Sequence, residues 1–270
     1  MKSAIFTSFD HSLSLAQAVP MIREAGFEVI AIGASPTRPG YTTAAGRAEI
    51  RQLVAQHGLA IDSVHAPFPE GDRLFSLDEA ERLESIRQCQ LALDAAAELD
   101  GKIVVIHLLV PYDIPDGEAR SQMIDHGHRS VEALADHAAA RGVKLALENG
   151  QRLRYDQVLI GLLNEFDVPH VGLCYDSGHE NVQGTCFDLL ERFGHRLLTF
   201  HIHDNEGADT HTLPGEGTTD WEQFRRVLRG LDYAGNLLVE SSTGNSRFKG
   251  PAAFLAEAWQ QAERLRQPLP

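Results

Sequence analysis

Residues 143–177 read VKLALENGQRLRYDQVLIGLLNEFDVPHVGLCYDS: two short apolar runs, each ending on a carboxylate, with an amphipathic stretch between them. The runs at 143–149 and 171–177 are short, and Val, Leu and Tyr suit strands buried on both faces. The segment 154–166 repeats its apolar residues at helical spacing. Strand, helix and strand in that order predict a parallel βαβ unit, because parallel strands need a crossover connection.

The same rhythm extends to both ends of the chain. Further strand candidates are 3–9, 27–33, 60–66, 102–109, 197–204 and 236–242, and further helices are expected at 12–26, 42–57, 76–99, 120–141, 186–194, 219–231 and 251–266. In helix 76–99 the expected buried stripe is Leu77, Ala80, Leu83, Ile86, Cys89, Gln90, Leu93 and Ala97. Gly26, Gly58, Gly101 and Gly142 stand where helices should stop, and Asp220 is placed to cap the helix that begins near Trp221. Eight strand–helix units without a linker or low-complexity tract predict one α/β domain over residues 1–270, a single (β/α)8 TIM barrel.

Of 270 residues, 43% are hydrophobic and 23% charged, which suits a large globular core. The net charge of −14 disfavours nucleic acid as a partner, because a polyanion would be repelled unless a local patch compensates. Three cysteines, Cys89, Cys174 and Cys186, form no CxxC pair and leave an odd thiol, so the expected compartment is the cytoplasm. Neither a signal peptide nor an apolar run of about 18 residues is evident, so no membrane association is expected.

A barrel gathers the carboxyl ends of its strands at one mouth. Those ends carry His65, His107, Glu148, Asp176, His201, His203 and Glu240, and the following loops add His179, Asp209 and His211. Alternation puts Val105 with His107, Ala146 with Glu148, Cys174 with Asp176, His201 with His203 and Leu238 with Glu240 on shared faces. Carboxylates about 5 Å apart repel by roughly 3 kcal/mol per pair at an effective dielectric near 20. Protonation or a cation must offset that, and a divalent ion also explains the accompanying imidazoles.

The expected ligand set is Glu148, Asp176, His203 and Glu240. His65, His107, His179, Asp209 and His211 are either further ligands or groups that orient ligands. His201 reads as buried support. Asn149, Gln151 and Arg154 follow strand 5, where either solvated loop or substrate contact is open. The remaining histidines, His11 among them, read as surface or packing residues. PGEG at 214–217 is either a tight turn or a loop offering backbone N–H groups to a phosphate.

SVHAPF (63–68), VVIHLL (104–109), LALEN (145–149), CYDSGH (174–179), HIHDNEGADTHTLPGEGTTDW (201–221) and VES (239–241) together resemble the xylose-isomerase-like barrel superfamily over the whole chain. That superfamily includes sugar isomerases, ketose 3-epimerases, inosose dehydratases and endonuclease IV. Resemblance to the epimerase branch implies one metal on Glu148, Asp176, His203 and Glu240, with Glu148 and Glu240 as catalytic acid and base and His179 touching substrate. Asp209 stands where that branch carries a substrate-binding Arg, and Arg154 where it carries a Glu. Endonuclease IV implies three zinc ions on His65, His107, Glu148, Asp176, His179, His203, Asp209, His211 and Glu240.

The expected activity is metal-dependent isomerisation or epimerisation of a small sugar, sugar phosphate or related polyol through an enediolate. The ion is expected to be Zn or Mn, with Mg or Co next, and more than one ion is compatible with the residues. Alternatives are an abasic-site nuclease, a keto-cyclitol dehydratase and a metal-binding barrel without catalysis. Arg38 and Arg73 are the basic residues near the early loops that would approach DNA. Barrels in the resembling families pair through exposed loops, so a homo-oligomer is compatible with the resemblance.

Overall fold

The computed structural model describes residues 1–35 and 40–267; Arg38 lies outside the described residues. Strand and helix alternate as the apolar rhythm predicts. The first half runs β1 (Ser3–Phe6), α1 (Leu15–Glu24), β2 (Val29–Ile32), α2 (Ala44–His57), β3 (Ala60–His65), α3 (Glu79–Glu98), β4 (Ile103–Ile106) and α4 (Glu118–Arg141). The second runs β5 (Lys144–Glu148), α5 (Leu153–Glu165), β6 (Val171–Asp176), α6 (Ser177–Gln183), α7 (Asp188–Phe193), β7 (Leu197–His201), α8 (Trp221–Gly230), β8 (Leu237–Val239) and α9 (Pro251–Arg266).

All eight strands are parallel, in the order β7-β6-β5-β4-β3-β2-β1-β8. The ring closes at Ile202, whose N–H donates to Leu238 O at 2.8 Å and whose carbonyl accepts from Glu240 N at 2.9 Å. The chain therefore forms a (β/α)8 barrel.

The large apolar core lies between strands and helices. Two small clusters, one of Ala4, Phe6, Val29, Ala31 and Leu238 and one of Val105, Ala146 and Cys174, stand apart from it. Val105, Ala146, Cys174 and Leu238 are the same-face partners of His107, Glu148, Asp176 and Glu240. Each places an apolar layer one pleat below an ionisable group.

Several boundaries differ from the sequence reading. β4 ends at Ile106 and β8 at Val239, so His107 and Glu240 fall just beyond their strands. Residues 177–183 form α6, seeded by Asp176, whose carboxylate accepts from His179 N at 2.7 Å. Gly58 and Gly142 are left-handed helix ends, at φ 62° and 67°. Gly101 is not one: α3 stops at Leu99, and Asp100 takes the positive φ of 60°.

The buried stripe of α3 is partly as expected: Ile86, Cys89 and Leu93 are buried, while Leu77 and Leu83 are exposed and Ser85, Ala92 and Ala96 join the buried face. The small residues among them let the helix approach its neighbours closely.

Asp78 accepts from Ala80 N and Glu81 N at the start of α3, at 2.9 and 3.1 Å. Asp78→Ala should cost about 1 kcal/mol, a fall in melting temperature of about 2–4 °C for a domain of this size. Activity should not change, and calorimetry beside an activity assay checks both.

Candidate metal centre

Glu148, at the end of β5, is the junction of the mouth. Its Oε2 lies 3.4 Å from His65 Nε2 and 3.3 Å from His107 Nε2, and its Oε1 lies 3.0 Å from His201 Nδ1. His201 Nδ1 is also 2.8 Å from Glu240 Oε2. A second corner gathers around Asp209, with His179 Nε2 at 3.6 Å and His211 Nε2 at 3.3 Å. Asp176 stands between the corners, 3.1 Å from His203 Nε2 and 3.8 Å from His179 Nδ1.

Four imidazoles have their far nitrogen occupied. His65 Nδ1 pairs with Ala66 O at 2.8 Å, His107 Nδ1 with Asp72 Oδ1 at 3.2 Å, His179 Nδ1 with Asn149 O at 2.7 Å and His211 Nδ1 with Glu240 O at 2.8 Å. With Nδ1–H donated to an oxygen, Nε2 of the neutral ring turns a lone pair toward a carboxylate. Two acceptors facing each other repel unless a proton or cation sits between them. Ligands about 2.1 Å from a tetrahedral ion stand roughly 3.4 Å apart, which matches the His65, His107 and His211 spacings.

Glu148 Oε2, Glu240 Oε2 and His203 Nδ1 are buried without a well-formed hydrogen bond. Three groups place their ligand atoms within 4.8 Å of one another: His65, Glu148 and His201; Glu148, Asp176, His201 and Glu240; and His179, His203, Asp209 and His211. The donor set fits one or more divalent cations.

Charge compensation has marked the titrations. Burial alone would raise the Glu148 carboxyl, yet His201 and His107 hold it well below the usual carboxylate range. Burial alone would lower His179, but Asp176 and Asp209 bring it up to about 9. His211 rises against burial to about 10 beside Asp209 and Glu240. In the metal-free protein, protons on these rings do the work of a cation.

The structure gives several of these residues definite surroundings. His201, rather than His203, faces the Glu148–Glu240 pair; His203 turns to Asp176 and stacks on His211 with ring centroids 3.9 Å apart. The two residues share strand parity, but His201 is the last residue of β7, whereas His203 projects past the strand over α6. Gly178 permits this, since a Cβ there would come within 1.9 Å of His203 Cε1.

Asn149 braces Asp176. It is fully buried and bonds Asp176 in both directions: its Nδ2 donates to Asp176 O at 2.9 Å, and its Oδ1 accepts from Asp176 N at 2.7 Å. Arg154 points away from the cavity to Asp116, at 2.7 Å. Arg73 spends its guanidinium on Val110 O at 2.6 Å. In the 214–217 loop, Gly215 N and Glu216 N donate within the protein, to Asp204 Oδ2 and Leu213 O. The loop wraps the buried carboxylate of Asp204, which accepts from Asn205 N, Gly215 N, Thr219 N and Trp221 Nε1 at 2.8–3.2 Å.

Two contributors escaped the sequence reading. Asp72 fixes His107. Tyr112, with its hydroxyl 3.4 Å from His179 Nε2, lines the cavity. His11, exposed as the sequence suggests, stands at the cavity's rim. Gln151 also lines the cavity and donates to Asp209 Oδ2 at 2.7 Å. The cavity has a volume of about 450 Å³, with Glu148, Glu240, His65 and His107 at its polar end.

The family model for the xylose isomerase-like TIM barrel matches residues 19–264. The chain belongs to that family. An uncharacterised protein of Sinorhizobium fredii is 31% identical over 260 residues, covering 86% of this chain and 80% of the relative. The D-psicose 3-epimerase of Enterocloster bolteae is 24% identical over 229 residues, 80% of this chain and 72% of that enzyme. Among solved structures, a D-tagatose 3-epimerase-like protein superposes with a TM-score of 0.82 at 23% identity, covering 98% and 97% of the two chains.

Two outcomes follow from the geometry. In chelator-treated protein, His179 and His211 have folded pKa values above their unfolded value, so the folded state binds more protons. Their contribution to stability is complete below about pH 6.5 and is lost as pH rises through about 9 and 10. Melting temperature should fall over that range, and His211→Asn should flatten the fall. Asp204→Ala strands four donors, two of them, Asn205 N and Thr219 N, buried, and should cost at least about 2 kcal/mol, seen as a drop of about 4–8 °C.

Proposed function

We propose that the protein is a divalent-metal-dependent isomerase or epimerase of a small sugar or related polyol. The observation that carries this reading is one imidazole nitrogen, His201 Nδ1, set between two carboxylates, Glu148 and Glu240, in a polar-ended cavity. Glu148, Asp176, His201 and Glu240 would hold the ion. Bound there, a dication would supply Lewis-acid stabilisation of the negative charge that develops on substrate oxygens when the adjacent carbon loses its proton.

The chain's own groups perform the proton transfers. Glu148 and Glu240 converge on His201 from β5 and β8, so a sugar carbon held between them presents a different face to each. One carboxylate takes the proton as general base, and the other returns a proton to the opposite face. The imidazoles around Glu148 keep it ionised and ready to accept. Burial and the nearby Glu148 push the Tyr112 phenol far above its ordinary value, so it stays a hydrogen-bond donor for a substrate oxygen. Phe6, Phe68 and Val110 line the same cavity and give it apolar walls. Epimerase names among the relatives support the sugar class.

Convergence of nine imidazoles and carboxylates on three ligand groups favours phosphodiester cleavage by several ions as a second reading. The described cavity lining contains no Lys or Arg to meet phosphates, which ranks that reading lower.

Protein stripped by chelator should lose turnover of a ketose panel and regain it with Mn²⁺, Co²⁺, Mg²⁺ or Zn²⁺. Undiminished turnover without metal overturns the mechanism. Glu148→Gln and Glu240→Gln should each lower kcat by about 10²–10⁴, read as loss of solvent-deuterium uptake beside the carbonyl. Cleavage of an abasic duplex without any sugar turnover would select the second reading.

A further inference from the structure

The cavity is larger than one sugar needs. Six carbon–oxygen units of a hexose, each about the size of a water molecule at about 30 Å³, occupy roughly 180 Å³, against about 450 Å³ available. A second cavity of about 80 Å³ adjoins it and shares Ser8, His11 and Ser35 as lining.

This shelf is built. Ser8 sits against Gly33, where a Cβ would come within 2.6 Å of Ser8 Oγ. Asp10, in the lining of the smaller cavity, accepts from Ser12 N at 2.9 Å and from Thr243 Oγ1 at 3.1 Å, while Thr243 N donates to Phe9 O at 2.9 Å. The β1 and β8 loops are thus tied together beneath the shelf. Elsewhere Ser242 and Asn245 add neutral hydrogen-bonding groups to the lining, and half-exposed Phe68 adds an aromatic surface suited to the apolar face of a sugar ring.

We infer that the substrate is a two-unit molecule: a keto-sugar reacting at Glu148 and Glu240, joined to a second neutral, sugar-sized unit that fills the rest of the main cavity and reaches onto the Ser8–His11 shelf. This rests on the proton-transfer reading of the same site. One or two hydrogen bonds at about 1 kcal/mol each make a ketose disaccharide roughly five- to thirtyfold better than its parent ketose in kcat/KM.

The test compares 4-O-glucosyl-fructose with fructose on metal-loaded protein, by deuterium uptake from D₂O beside the carbonyl. Leu13→Trp fills the smaller cavity, and Leu15→Trp, from the same lining, is the second blocking variant should the first fail to fold. The expected result is a preference of about tenfold for the disaccharide that either variant abolishes, with the fructose rate unchanged. Equal specificity, or a preference that survives both tryptophans, overturns the inference. If neither ketose exchanges deuterium, the proton-transfer reading fails, and the shelf is judged by calorimetric binding of maltitol against sorbitol. Tighter maltitol binding that Leu13→Trp or Leu15→Trp removes upholds the shelf, and equal binding sinks it.

Discussion

One buried carboxylate within reach of four imidazoles sets the terms for the rest of the mouth. Glu148 lies 3.0–3.7 Å from His201, His107, His65 and His179. An ionised group with so little water is tolerated only where positive charge and fixed dipoles replace the lost solvation. The surroundings are arranged accordingly. His65 and His107 each have the second nitrogen anchored to a carbonyl or carboxylate, and His179 Nδ1 is held by Asn149 O, which fixes ring orientation and removes rotameric freedom before any ligand arrives. Tyr155 extends the same logic to the main chain, donating to Glu148 O at 3.2 Å while accepting from Leu108 N at 2.7 Å. A single phenol thereby sets the spacing of the β4 and β5 ends.

Much of this was legible in the sequence because strand periodicity is strict. An apolar run interrupted by His or Glu at its last inward position identifies a barrel-mouth residue, and His65, His107, Glu148, Asp176 and Glu240 all arrived there. Periodicity cannot choose between His201 and His203, which share a face; the choice depends on where β7 stops and on α6 passing beneath His203 at Gly178. Asp72 gave no signal either, since it lies in a connection whose path is set by tertiary contacts. In the sequence Asn149 reads as loop polarity or a substrate contact, and Asp204 as the polar end of a strand. Both are buried hubs, a distinction that rests on partners dozens of residues away or on the fold of a whole loop.

Family membership explains why the frame was easier to read than the chemistry. The barrel tolerates wide sequence divergence, as superposition at 23% identity with a TM-score of 0.82 illustrates, while specificity is written in the connections above the strands. In this chain those connections are stiffened by side chains rather than by regular structure. Asp156 accepts from Gly150 N and Gln183 Nε2, and Glu180 accepts from Tyr175 Oη, Phe187 N and Leu189 N. Each carboxylate gathers a loop into one fixed shape.

The closure at Ile202 has a mechanical consequence. Two main-chain hydrogen bonds through that residue join β7 to β8, where the other neighbouring strands are joined by at least three registered residue pairs. The seam is the barrel's weakest hoop. Glu240 stands on one bank and His201 on the other, so a cation gripping both would act as a rivet across the gap, and the ring would hold its circumference most firmly when its cargo of charge is in place.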